Sequence, residues 1–129
     1  MSVFSDMELL AMRRDFEALM SDSCQVGSYY TAAGTTGELV PSYRYGITIA
    51  CGFQPLIGTQ RAEYRTLDGQ VVQADARCRL AHDTPISERD RVRITHRHGQ
   101  AVEAVDYEVM GAPALSPAGM LVYLRAVAP

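Results

Sequence analysis

Few residues in this chain have the types and spacing that chemistry demands. Cys78 with His82, and His96 with His98, come nearest to metal-ligand spacing. A zinc site draws on paired clusters such as Cys-x-x-Cys, and neither pair has such a companion. Cys24, Cys51 and Cys78 fall instead in the apolar phases of Cys24-Val26, Ile49-Cys51-Phe53 and Ala76-Cys78-Leu80. A thiol in such a phase serves as a small hydrophobe, so three reduced, inaccessible cysteines in a reducing compartment are expected. Serine and cysteine lie outside any G-x-S-x-G elbow, and no glycine loop is shaped to cradle phosphate. The expectation is a protein that is not an enzyme, with no catalytic residue, no cofactor and no metal.

Binding chemistry is the second possibility. Arg89, Arg91, Arg93 and Arg97 form a row on one face of a predicted strand, and acidic Glu88, Asp90, Asp106 and Glu108 dilute it. Such a row reads as a solvated or subunit-contacting face rather than a phosphate grip. Tyr43-Arg44-Tyr45 and Tyr64-Arg65 resemble aromatic platforms for nucleic-acid bases. The two tyrosines of the first group, however, continue the apolar face of a strand, and core packing is the expectation for them. A net charge of -3 and a pI near 5.5 argue against general attraction to phosphate or to an anionic membrane. All 12 basic residues are arginine, whose planar fork suits paired carboxylates across an interface.

The elements that must position these residues follow from periodicity. Asp90–His96 and Val105–Met110 alternate as two arms of one hairpin around a polar connection, and the apolar face of that hairpin requires partner strands. Ser5-Asp6-Met7-Glu8 is a capping box, stapled by Phe4 and Leu9, that opens a helix over 5–20. Leu9, Met12, Phe16, Leu19 and Met20 give the helix one apolar stripe, for its own barrel or for a neighbour. Cys24–Tyr30 is a short strand interrupted at Gly27, and Thr31–Ser42 reads as a mobile twelve-residue loop. Tyr43, Tyr45, Ile47, Ile49, Cys51 and Phe53 alternate without a break, with Gly46 suggesting a bulge or bend. Asp68-Gly69 is a hairpin signal after Tyr64. Val72, Ala74, Ala76, Cys78 and Leu80 line one face of the next strand, their small size implying close approach of another element such as the helix. After a loop over 81–88 and the hairpin, Met110–Pro113 ends the second arm, 116–119 turns the chain, and 120–127 closes the sheet.

At 129 residues, 47% of them apolar and 21% charged, the chain fits one soluble domain spanning 1–129. No apolar run reaches the roughly 20 residues of a membrane span, and the N-terminus lacks the layout of a signal peptide, so synthesis in the cytoplasm is expected. The fold expected is mainly β: a small antiparallel barrel or sandwich of six to seven strands over 24–127, with an N-terminal amphipathic α-helix.

The order of these segments carries a resemblance. A helix with Met12-Arg13 leads, followed by Asp22-Ser23-Cys24-Gln25-Val26, a Gly/Thr-rich loop, a strand from Tyr43, and Cys51-Gly52-Phe53 before a proline. The second half has an Asp90-Arg91-Val92 start, a glycine before the next strand, Tyr107-Glu108-Val109, and a final strand from Gly119-Met120-Leu121. Over nearly its whole length the chain resembles the head-closure (head–tail joining, or stopper) proteins of long-tailed phages. The resemblance implies a virion protein of the neck, a homo-oligomeric ring of six or twelve subunits below the portal and adaptor. Such a ring helps hold packaged DNA, which passes through its channel without sequence-specific binding, and presents the tail terminator or tail tube with its attachment surface. Leu39, Val40, Arg13, Arg14, Arg89, Arg91 and Arg93 are the partner-contact candidates. The other readings are a tail-completion or tail-terminator ring protein and a small barrel for single-stranded nucleic acid.

Overall fold

The computed structural model describes residues 5–57, 63–65 and 71–127. Helix α1 spans Asp6–Ala18, capped as its sequence requires by the Ser5 Oγ, which accepts the Glu8 N–H at 3.2 Å. The strands are β1 (Asp22–Ala33), β2 (Leu39–Pro55), β3 (Glu63–Arg65), β4 (Val71–Gln73), β5 (Ala76–Leu80), β6 (Arg91–Arg97), β7 (Gln100–Leu115) and β8 (Met120–Ala126). Six of them close an antiparallel barrel in the order β1-β2-β5-β8-β7-β6, with β1 also pairing to β6, while β3 and β4 form a separate two-stranded sheet. The expected mainly β fold is therefore a closed barrel.

Alternation builds the core. Burial alternates along β5, the first half of β6 and β8 up to Leu124, so that Ala76, Cys78, Leu80, Val92, Ile94, Val122 and Leu124 fill the interior. Two buried carboxylates lock the closure. Asp22, at the start of β1, accepts the Phe53 N–H of β2 at 2.8 Å and the His98 N–H of the β6–β7 turn at 3.0 Å, with Arg97 Nε at 3.3 Å. Asp90, just before β6, accepts the Tyr29 N–H at 2.8 Å and the Ser87 N–H at 2.9 Å.

Several boundaries differ from the sequence expectation. The short Cys24–Tyr30 strand and the twelve-residue loop that follows are replaced by continuous strands. Pairing runs on to Ala33↔Leu39, and the turn contracts to 34–38, closed by Gly34 N–H to Glu38 O at 2.7 Å with Gly37 at φ 86°. The two glycines keep their turn, and ladder pairing between the Tyr-, Thr- and Val-containing segments on either side draws the rest of the expected loop into strands. The hairpin of β6 and β7 likewise turns on His98-Gly99, both at positive φ (52° and 79°), in place of a long polar connection. Val102, Glu103 and Ala104 stand opposite Thr95 alone before pairing resumes at Ile94↔Val105, so the polar stretch is an irregularity inside a strand. β7 continues through Met110–Pro113, bending at Gly111 (φ 70°), up to the expected 116–119 turn.

The strand expected from Val72 to Leu80 breaks at Ala74-Asp75. Asp75 gives its N–H to Leu124 O, takes Leu56 N–H on its carbonyl, and accepts the Ala126 N–H on its carboxylate at 2.9 Å, so the chain leaves one sheet for the other there. The Asp68-Gly69 turn lies outside the described residues; the flanking register, Tyr64↔Val72, is antiparallel. The small residues of β5 face the barrel interior rather than the helix. The helix meets the barrel elsewhere: the Phe16 ring covers Gly119, the Leu19 carbonyl lies against Gly52, and Arg13 Nε donates to Pro117 O at 3.1 Å. Leu9, Met12, Phe16 and Met20 are half-buried as their stripe predicts, whereas Leu19 is exposed.

Asp22 carries several strand junctions at once, which sets a prediction. Asp22→Ala strips partners from two backbone donors and a guanidinium and is expected to cost about 3 kcal/mol in urea-unfolding free energy. Asp83→Ala, at an exposed loop position, is expected to change it by less than about 0.5 kcal/mol.

Candidate functional site

Between the pairs Gln25↔Thr48 and Gly27↔Tyr45, β2 holds Gly46 and Ile47 where β1 has Val26 alone. This bulge, at the glycine that suggested one, shifts β2 by one residue, and a one-residue shift sends every later side chain to the opposite face. Ile49 and Phe53 pack against the core, but Tyr43 and Tyr45 stand outside it. The expectation that the two tyrosines extend the core face is thereby corrected. Uninterrupted alternation in sequence does not survive an inserted residue.

Outside, the tyrosines meet the arginine row. Arg91 and Arg93 flank buried Val92 and so point away from the core. Arg93 stacks 3.8 Å from the Tyr45 ring centre, Arg91 4.1 Å from that of Tyr43, and Arg89 5.7 Å from that of Tyr29, while Tyr29 and Tyr43 pack edge to face at 5.8 Å. The Tyr45 ring reaches Arg93 by crossing β1 over Gly27, where an added Cβ would lie 2.7 Å from the ring. Arg93 also grips Asp106 with two N–H groups, at 2.7 and 3.2 Å. That contact holds the Asp106 carboxyl below the usual carboxylate range and raises Arg93. Burial, and then the Asp106 charge, push the Tyr45 phenol up. Arg125 pairs with Glu108 on the next strands. Arg91 Nε, shielded from solvent, has no hydrogen-bond partner among the described residues.

Beyond Gly27, β1 pairs with β2 but not with β6, so 28–33 and 39–44 leave the barrel as a two-stranded arm. Its apolar residues are left uncovered: Leu39 is 74% exposed, Val40 39% and Tyr30 41%, with Ile47 at the bulge 82% exposed. Helix α1 shows a second such surface, where Met7, Leu10 and Ala11 flank Arg14 and Asp15 around a shallow depression. Between these surfaces lies an open groove of about 620 Å³, walled by Met20, Val26, Ile47, Ile49, Ala50 and Pro85 and rimmed by Glu17 and Asp83.

The candidates named from sequence are thus dispersed. Leu39 and Val40 stand at the arm tip, Arg89, Arg91 and Arg93 share one outer face with three tyrosines, Arg13 is tied to the Pro117 turn, and Arg14 sits on the exposed side of the helix. His98 occupies the tight turn, 3.4 Å from Ser21 Oγ through Nδ1, and His96 Nδ1 is 2.9 Å from Thr95 Oγ1. Sequence reasoning missed the meeting of Cys24, Cys51 and Cys78, whose sulfurs lie within 4.8 Å of one another with no solvent exposure. The signal was their common inward phase on three strands; the order β1-β2-β5 that makes them neighbours is a property of topology. S–H donation from Cys51 and Cys78 draws the Cys24 thiol down, while Cys51 and Cys78 are pushed up, chiefly by their contacts with Cys24.

No protein-family model and no curated protein matches the chain. Among solved structures it is similar to the solution structure of protein SF1141 from Shigella flexneri 2a, with a TM-score of 0.61 and 12% identity over 84% of this chain and 94% of that one. A likeness at that identity speaks to the fold alone.

The outer face generates two predictions. In most strands Gly→Ala stabilises, but Gly27→Ala drives a methyl group into Tyr45 and is expected to destabilise by about 2 kcal/mol, with a change in near-ultraviolet tyrosine dichroism. Because Asp106 has a depressed folded-state pKa, its contribution is present above its unfolded value near 3.9 and is lost as pH falls through the lower folded value. The stability gap between the native protein and Arg93→Ala, followed by urea titration, is expected to be widest near neutral pH and to shrink through that acid window.

Proposed function

We propose that the protein is a structural component of a phage neck, a head-closure barrel that assembles as a ring below the portal and adaptor and gives the tail its attachment surface. The observation that carries this reading is the arm of β1 and β2, which leaves the barrel with Leu39, Val40 and Tyr30 uncovered. A monomer gains nothing from extending paired strands to place apolar side chains in water; a neighbour that covers them does. The uncovered side of α1 is a second, different surface. Two unlike sticky surfaces on one chain favour head-to-tail contacts, which close into rings when the rotation permits. The segment order shared with head-closure proteins supplies the particular ring.

The single-stranded nucleic-acid reading is weakened by the outer face itself. The rings of Tyr43 and Tyr45 that bases would stack on already carry the guanidinium groups of Arg91 and Arg93, and Arg93 is neutralised by Asp106. A surface of net charge -3 is suited to letting DNA pass rather than to holding it.

The double variant Leu39→Ser with Val40→Ser tests the proposal. Both residues lie beyond the closed barrel, so unfolding free energy is expected to stay within about 0.5 kcal/mol of the native value. Ring assembly on the portal–adaptor complex, viewed by electron microscopy, and the yield of DNA-filled infectious particles are expected to fall at least tenfold. Full particle yield would overturn the role of the arm. Light scattering of the free protein is expected to give a monomer, and a stable two-fold dimer at micromolar concentration would contradict head-to-tail assembly.

A further inference from the structure

All three cysteines of the chain meet at one point in the sealed core. Cys24 of β1, Cys51 of β2 and Cys78 of β5 stand on three adjacent strands and face inward, each at 0% exposure, with every sulfur within 4.8 Å of the other two. Three convergent sulfurs with no other His, Cys, Asp or Glu ligand atom in the group, among the described residues, make a three-coordinate donor set.

We propose that Cys24, Cys51 and Cys78 form a closed binding site for a single soft divalent metal ion held by three thiolates. Sulfur donors select soft ions over oxygen-seeking ones such as magnesium or calcium. A structural zinc ion takes four ligands, so the trio suits a softer ion that thiolates alone can hold, for which cadmium, whose bonds to sulfur can be followed spectroscopically, is the experimental probe. At the zinc–sulfur length of about 2.3 Å, sulfurs around a trigonal ion would stand about 4 Å apart, and a larger soft ion holds them farther apart, so the site need contract by less than about an ångström. Binding breaks three S–H bonds heterolytically: each sulfur keeps its electron pair for the metal bond and each proton leaves to solvent. One divalent ion and three thiols thus give a complex of charge -1 and three protons, with no change of oxidation state. The sulfurs are brought together only by the folded barrel, so the ion binds the native state more tightly than the unfolded chain, and the difference in binding energy adds to stability. With no sulfur exposed, the ion enters through transient opening of the strands or during folding.

The test is anaerobic titration of the reduced full-length protein with cadmium alone. Expected are a sulfur-to-cadmium charge-transfer band in the ultraviolet, on the short-wavelength side of the tyrosine band, that saturates at one ion per chain, a rise of about 5 °C or more in thermal midpoint, and X-ray absorption showing three sulfur neighbours. Uptake is expected to be slow and to quicken in mild urea. Cys78→Ala is expected to weaken binding at least a hundredfold with far-ultraviolet dichroism unchanged. If that variant fails to fold, the sulfur count on the native protein decides. Absence of the band, a first shell of oxygen or nitrogen, or saturation at one ion unaffected by Cys78→Ala would overturn the proposal.

Discussion

Closure of the barrel depends on β1, and β1 is fastened at two places by buried carboxylates. Asp22 gathers donors from β2, from the β6–β7 turn and from Arg97; Asp90 reaches across from the start of β6 to the backbone of Tyr29. A carboxylate can serve as such a junction because it accepts several hydrogen bonds at once, and charge-assisted bonds to backbone N–H groups are about twice as strong as neutral ones. Side chains here complete what the ladders cannot, since strand pairing alone leaves donors unpaired wherever a strand starts, bulges or turns. With β1 held between β2 and β6, the three cysteine-bearing strands lie side by side and the arm is aimed away from the barrel.

The bulge opposite Val26 divides β1 and β2 into two functional lengths. On the barrel side, the inward phase supplies Cys24, Ile49 and Cys51 to the core. On the far side the phase is reversed, and the aromatic residues that would have been core become the stacking partners of an arginine row. Gly27 permits this by leaving room for the Tyr45 ring above the strand. One inserted residue therefore converts what reads as a single amphipathic strand into an inner wall and an outer face.

Much of this architecture was legible in the residues. The cap that the Ser5 hydroxyl gives to Glu8, the alternation of β5, β6 and β8, the turn at Ser116–Gly119 and the antiparallel class all follow from local patterns that the tertiary structure leaves intact. What escaped were features decided at a distance. Gly34 and Gly37 read as loop residues because turn chemistry is local, while the ladder that pulls their neighbours into strands forms between segments. Asp75 breaks a strand that its alternation would continue, because its backbone and carboxylate find partners on β8 and at Leu56. The meeting of the cysteines needed the strand order, and nothing local marks Asp22 or Asp90 as a buried junction, because their donors come from other strands and turns.

The arm is also a mechanical element. Its strands enter the barrel without a hinge loop, and six residues on each side, at about 3.3 Å of rise per residue, give it a reach of about 20 Å. A pull on the tip along the strands loads the β1–β6 and β2–β5 ladders in shear, so their hydrogen bonds resist together instead of opening one after another. A sideways push meets its softest point at Gly46, where the ladder is already interrupted. The arm is therefore stiff in tension and compliant in bending, the behaviour of a tether.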